Sequence, residues 1–142
     1  MYETKITRTL EENPGAREVR TRVFVEEQGY QNEFDSHDAD AVHLCLYDGG
    51  RGVATARAYR HSEDGVYVLG RVAVLPDFRG RGLGSRVVRE LEEQLRGLGA
   101  REIRLSSQLH AMKMYAALGY QPEGETIYDE GQPHRMMRKV LA

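Results

Sequence analysis

An α+β fold with one mixed central sheet is predicted by three features of the sequence. Two short strand-like runs meet at Gly49-Gly50, which is a hairpin signal. Two further strand-like runs each lead into a pattern with apolar residues spaced by the helical period, the mark of strand–helix–strand crossovers. The length, 142 residues, supports one domain and leaves little room for a second, so residues 1–142 are expected to form a single unit.

The elements follow in order. Residues 2–9 alternate enough for a first strand. Asn13-Pro14 predicts a helix start, because Asn can cap free N–H groups and Pro fits the first helical position. In PGAREVRTRVFVEEQG, residues Ala16, Val19, Val23 and Phe24 share one face, and Gly29 is placed as the C-cap. Residues 31–40, QNEFDSHDAD, are polar, acidic and irregular and read as a loop or a short helix. The hairpin AVHLCLYD–GGR–GVATARAYR comes next, then the turn HSEDG. VYVLGRVAV is nearly continuous in apolar residues, as expected of a central strand buried on both faces. LPDFRGRGLGS opens a long helix with Leu83, Val87, Val88, Leu91, Leu95 and Leu98 in phase, closed by Gly99. REIRLSS is a strand, QLHAMKMYAALGY a shorter helix ending at Gly119, and GETIYDE and HRMMRKVL two last strands joined around residues 131–133.

Composition narrows the function classes. Hydrophobic residues at 40% and charged residues at 30% argue against whole-chain disorder. A formal charge of −2, from 20 Lys+Arg against 22 Asp+Glu, argues against general nucleic-acid binding. The single cysteine, Cys45, excludes an internal disulfide and a CxxC motif, and its mid-strand position reads as a buried small residue. With no apolar run of signal-peptide or bilayer-spanning kind, no membrane partner is expected, and the simplest reading is a soluble, cytoplasmic protein.

The sharpest chemical feature is RGRGLGS, residues 79–85, between an apolar strand and an amphipathic helix. Glycine lets a backbone turn tightly and approach a ligand without a Cβ in the way. The first N–H groups of a helix lack internal partners and favour an anion, and Arg79 and Arg81 add positive charge. A phosphate or pyrophosphate site is expected there. It is neither a P-loop, since GxxxxGK[ST] is absent, nor a Rossmann loop, since Gly80, Gly82 and Gly84 give GxGxG.

This loop resembles the Q/R-x-x-G-x-G/A signature of the GNAT superfamily of N-acetyltransferases, here Arg79-Gly80-Arg81-Gly82-Leu83-Gly84 after the strand VLGRVAV. A second element agrees: a strand followed by Gln108, Ala111, Tyr115 and Leu118-Gly119-Tyr120. Many members have Asn where this chain has Gln108. Residues 23–28 (VFVEEQ), His43, Ala56-Arg57, Gly70-Arg71-Val72, Gln108, His110-Ala111, Pro133-His134 and Met137 are similar in order to the ElaA-like branch of small bacterial acetyltransferases. The similarity covers nearly the whole chain.

The resemblance implies a mostly antiparallel sheet of about six or seven strands flanked by helices, with a splayed strand pair at the cofactor site. It implies acetyl-CoA as co-substrate, with the pyrophosphate on Arg79, Gly80, Arg81, Gly82, Leu83 and Gly84 and with Ser85 opening the helix. Pantetheine would run along Val72, Ala73 and Val74, the Val74 N–H polarising the thioester carbonyl. Gln108 and Ala111 complete the cofactor set, and Tyr115 matches the general acid that protonates the leaving thiolate. The acceptor would be an amine of a small molecule or peptide. An alkyl amine with pKa ~10 is neutral in about one molecule per thousand at pH 7, so a base is expected. His43, His134, Glu26, Glu27 and Glu33 all remain candidates. Glu26 and Glu27 would also suit a cationic acceptor, and Arg57 would pair with Asp38 or Asp40 or hold an acceptor carboxylate. His110 would cap or orient its helix. The cluster Asp35, His37, Asp38, Asp40 and His43 lacks EF-hand and zinc spacing, so no metal is expected. Homodimers are common in the superfamily.

Two other readings stay open. The run R..VFVEEQG....EFD..D is similar to acyl-homoserine-lactone synthases, but those chains are longer and carry a tryptophan in this region, and this chain has none. The other is a CoA-binding sensor that keeps the loop and lacks turnover.

Overall fold

The computed structural model describes residues 1–141. One seven-stranded sheet has the order β1-β2-β3-β4-β5-β7-β6. Its strands are β1 (Glu3–Thr7), β2 (Val42–Asp48), β3 (Arg51–Arg60), β4 (Val66–Val74), β5 (Glu102–Gln108), β6 (Gln121–Asp129) and β7 (Gln132–Val140). Every neighbouring pair is antiparallel except β4 with β5. The parallel pair follows from the helix between them, α2 (Leu83–Gly97), which returns the chain to the end where β4 began. The other helices are α1 (Pro14–Arg20) and α3 (Met112–Ala117). This is the mixed, mostly antiparallel α+β sheet that the sequence predicts.

The core forms where α1 and α2 cover the sheet. Val19, Val23 and Phe24 from the first helical segment are buried, as are Leu83, Val87, Val88, Leu91 and Leu95 from α2, against Leu44, Leu46, Val53, Leu69 and Leu105 of the strands, while Ala16 is buried with Leu10 and Cys45. Leu98 is the exception to the predicted stripe. It sits past the end of α2 with φ −92° and ψ 2°, leaves the helical phase, and is 42% exposed.

Three local expectations are corrected by the backbone. Asn13 precedes α1 but does not cap it; its buried side chain donates to the Lys5 and His43 carbonyls and accepts from the Tyr47 hydroxyl, tying β1 to β2. The helix also continues past α1 as a π-turn, Thr21–Glu27, in which Gln28 N–H reaches the Val23 carbonyl five residues back. The last hairpin turns at Glu130-Gly131, both with positive φ, so Pro133 lies inside β7.

Candidate active site

β4 pairs with β5 only through Val66, Tyr67 and Val68 against Glu102, Ile103 and Arg104. Beyond that the two strands part. The cause lies in β4, where Arg57 stands opposite Gly70 but Thr55 stands opposite Ala73, so Arg71 and Val72 share one position and form a bulge. Arg71 adopts φ 55°, a left-handed conformation rare for a side chain of this size. The expectation of a strand buried on both faces therefore holds only for its first half; Gly70, Arg71, Val72 and Val74 are half-exposed.

The bulge sets which backbone groups face the gap. Leu75 N–H donates to the Val53 carbonyl of β3. Strand alternation then turns Ala73 toward β3 and turns Val72 and Val74 away from it, toward the side β5 has left. The Val74 carbonyl accordingly accepts from Arg79 Nε at 3.0 Å.

The glycine loop lies at the end of this strand. Gly80 and Gly82 hold φ +79° and +76°, and a Cβ at either would meet open space, so the turn presents bare backbone. The N–H groups of residues 80–85 precede the first bond of α2, which Arg86 N–H gives to the Gly82 carbonyl. Gly84 packs closely, a Cβ there lying 3.1 Å from Met114 Sδ. Arg79 is fixed by a two-pronged contact to Glu27 at 2.7 and 2.8 Å, while Arg81 reaches the Tyr2 hydroxyl and lies over Phe78. Glu27 thus clamps the loop.

The gap between β4 and β5 widens into a cleft. Phe24, Gln28, Tyr30, Asn32 and Glu33 line one side, Gly70, Arg71 and Val72 the floor, and Ser106, Gln108, His110, Ala111, Tyr115, Asp129, Glu130 and His134 the rest. Of the predicted residues, Val72, Gln108, Ala111, Tyr115, Glu33 and His134 meet here; Glu26, Glu27, His43 and Arg57 do not. Tyr115 is 6% exposed, and burial alone pushes its phenol above the usual range. His134 Nδ1–H donates to the Gln132 carbonyl at 2.9 Å, which leaves Nε2 as the basic nitrogen of the neutral ring. His110 Nε2 bonds to Gln108 Oε1 and Gln108 Nε2–H donates to Gln28 Oε1, so this histidine orients a side-chain chain across the cleft rather than capping α3.

Behind the cleft sits a buried ion-pair network. Arg20, 1% exposed, donates to Glu33 Oε2 and to both oxygens of Asp38. Arg57 bridges Asp35 and Asp38, not Asp40, because residues 36–39 form a short 3₁₀ turn that carries Asp40 outward. Arg71 reaches Glu33 and Asp35 from the bulge. Burial raises the Asp38 carboxyl, but hydrogen bonds from Arg20 and Arg57 reverse this and hold it far below its ordinary value. Burial pushes the Glu33 carboxyl up against the pull of Arg71 and Arg20. His43 is buried and donates from Nε2 to the Asp38 carbonyl; burial pulls its imidazole below the ordinary range against that bond. The acidic cluster therefore serves guanidinium groups. Cys45 is fully buried, its thiol pushed up to about 12. Among the described residues, no helix is long and apolar enough to cross a membrane.

A sheet split at its fourth strand, beside a glycine loop that opens a helix, defines the architecture of the acyl-CoA N-acyltransferases. The chain belongs to the GNAT acetyltransferases, in the ElaA-like branch: the model of the Acetyltransferase (GNAT) family matches residues 7–120. It is 33% identical over 124 residues to the uncharacterized N-acetyltransferase YjcF of Bacillus subtilis, covering 85% of this chain and 87% of that one. Among solved structures it is similar to an acyl-CoA N-acyltransferase from Pseudomonas aeruginosa (28% identity, TM-score 0.85, 99% and 100% of the two chains). It is likewise similar to Escherichia coli ElaA (26% identity, TM-score 0.86, 98% and 99%).

Proposed function

We propose that this chain transfers the acetyl group of acetyl-CoA to an amine of a small molecule or peptide by direct attack, with Tyr115 as general acid. The observation that carries this reading is the parting of β4 from β5 beside the glycine loop, with Tyr115 and His134 in the same cleft.

The amides of residues 80–85 receive the pyrophosphate, and Arg79, tied to Glu27 and to the Val74 carbonyl, holds the loop in place for it. Pantetheine extends along Val72, Ala73 and Val74 on the edge that β5 vacates, with Gln108 and Ala111 on the facing wall. The Val74 N–H polarises the thioester carbonyl and carries its developing negative charge. Of the five base candidates, His134 joins a place in the cleft to a free Nε2. Glu33 also lines the cleft, but its Oε2 is shared between Arg20 and Arg71. His134 takes the ammonium proton, the amine nitrogen bonds to the carbonyl carbon, and the carbon–sulfur bond breaks. Tyr115, kept protonated by burial, gives its proton to the departing sulfur, so the products are an amide and free CoA. The nitrogen sheds its second proton as the amide forms, which restores the Tyr115 phenol by way of solvent, and His134 releases the first, so one net proton leaves per turnover.

Following free thiol with acetyl-CoA and a panel of amines tests this. Amine-dependent release is expected, and Tyr115→Phe should lower kcat about a hundredfold while acetyl-CoA affinity holds. His134→Gln should lower kcat/KM for the amine by about a hundredfold while acetyl-CoA affinity holds. Release that ignores amine, or full turnover in Tyr115→Phe, overturns the reading; tight CoA binding with no turnover would favour a sensor.

A further inference from the structure

Two polar groups at the acceptor end of the cleft are idle in the transfer chemistry. The Tyr30 hydroxyl is buried, in a residue 8% exposed, and has no hydrogen-bond partner. Asp129, exposed at the end of β6, lines the same cleft, and its carboxylate enters no hydrogen bond or ion pair among the described residues. The other charges there are already engaged. Glu33 is shared by Arg20 and Arg71, and Arg71 also spans to Asp35. The Glu130 carboxylate accepts from Gln31 N–H at 2.9 Å and Asn32 N–H at 3.0 Å, fastening the tip of the last hairpin to the opposite wall. Those amides direct Glu130 without neutralising it, and Arg71, which also acts on Glu130, is already paired with Glu33 and Asp35, so among the described residues the acceptor end keeps an excess of negative charge.

Tyr30 stands inside this field: Asp129 and Glu130 add to burial in pushing its phenol up. A buried hydroxyl without a partner is unfavourable, and a bare carboxylate in a cleft favours a cation. One ligand group answers both. An ammonium has three N–H donors, enough for the Asp129 carboxylate and the Tyr30 oxygen together. A carboxylate tail would meet like charge, and an alkyl tail would leave the hydroxyl orphaned.

We infer, on the transferase reading above, that the acceptor is an alkyl amine bearing a second ammonium group, which Asp129 and Tyr30 hold while the first amine faces the thioester. The site selects diamines over monoamines and rejects amino acids of equal length.

A four-carbon series separates the possibilities: butane diamine, butylamine, aminobutanol and aminobutyrate, each assayed with acetyl-CoA by thiol release. The diamine should exceed butylamine in kcat/KM by about tenfold or more, with aminobutanol between and aminobutyrate last. In Asp129→Asn the diamine-to-butylamine ratio should fall about tenfold, and in Tyr30→Phe both the diamine and aminobutanol should lose ground to butylamine. Equal rates for diamine and butylamine, or a ratio unmoved by Asp129→Asn, overturn the inference while leaving acetyl transfer intact. Should no amine release thiol, the transferase reading falls by itself, and calorimetry with butane diamine decides the cation site. Heat in the wild type that Asp129→Asn abolishes supports the site, and no heat refutes it.

Discussion

The two ends of the cleft are built from different materials. The glycine-loop end is backbone: positive-φ Gly80 and Gly82, a row of helix-opening amides, and a β4 edge with no strand beside it. The acceptor end is side chain: Tyr30, Glu33, Asp129 and His134 come from segments about a hundred residues apart, and Glu33 among them is held by the Arg20 and Arg71 guanidinium groups of the network behind. A site made of backbone depends on local conformation and tolerates most side-chain changes. A site made of side chains depends on distant pairings and fails when one partner is removed.

Breaking the network should therefore produce the largest effect. Arg20→Met leaves Glu33 with Arg71 alone and Asp38 with Arg57 alone and should destabilise the fold by about 3 kcal/mol in denaturant titration, because the buried carboxylates lose the cation they share. In the fraction that folds, acetyl-CoA affinity should persist while amine turnover is lost; loss of both together would show that the two ends are not separable. Gly82→Val attacks the other end. A β-branched residue at φ +76° is strained by about 1–3 kcal/mol, so calorimetry should find acetyl-CoA bound about tenfold more weakly, and Gly84→Val should add contact with Met114. Unchanged affinity would refute the assignment of the loop.

The smallest effect concerns acid. Asp35 is exposed and Asp38 half-buried; what burial they have raises their carboxyls, yet hydrogen bonds from Arg57 and, for Asp38, Arg20 lower both below their ordinary 3.8. A depressed carboxylate stabilises the fold fully above its unfolded value and loses that contribution as pH falls toward the folded one. The denaturation midpoint should therefore drop steeply below about pH 4 in the wild type and less steeply in Asp38→Asn. Equal slopes would mean that the network does not govern acid stability.

The loop end was legible in the sequence because its information is local. Alternating glycines, two arginines and the helical phase from Leu83 onward lie within one short stretch, and the succession of strands and helices along the chain follows from turn residues. The split of β4 was not legible, since nothing in Leu69-Gly70-Arg71-Val72 marks an extra residue until β3 is laid beside it. The family resemblance supplied the splay instead. The π-turn was hidden as well: Thr21–Glu27 reads as ordinary helix, and only the widened turn brings Phe24 and Gln28 to the cleft. Choosing between His43 and His134 requires knowing which side of the sheet each faces, and periodicity within one strand cannot tell. Arg20 is a charged residue set between Val19 and Val23 on an apolar face, a pattern that signals internal pairing.

The bulge at Arg71 reaches further than its size. One surplus amino acid rotates the rest of its strand by half a pleat and denies the next strand a matching edge, so an insertion, not a reactive side chain, creates the receptacle. The same surplus residue spends its own side chain anchoring the loop that walls the acceptor. Cavity and wall thus share a single origin, and the spacing of the chain at this point governs the chemistry as firmly as the identity of any group within it.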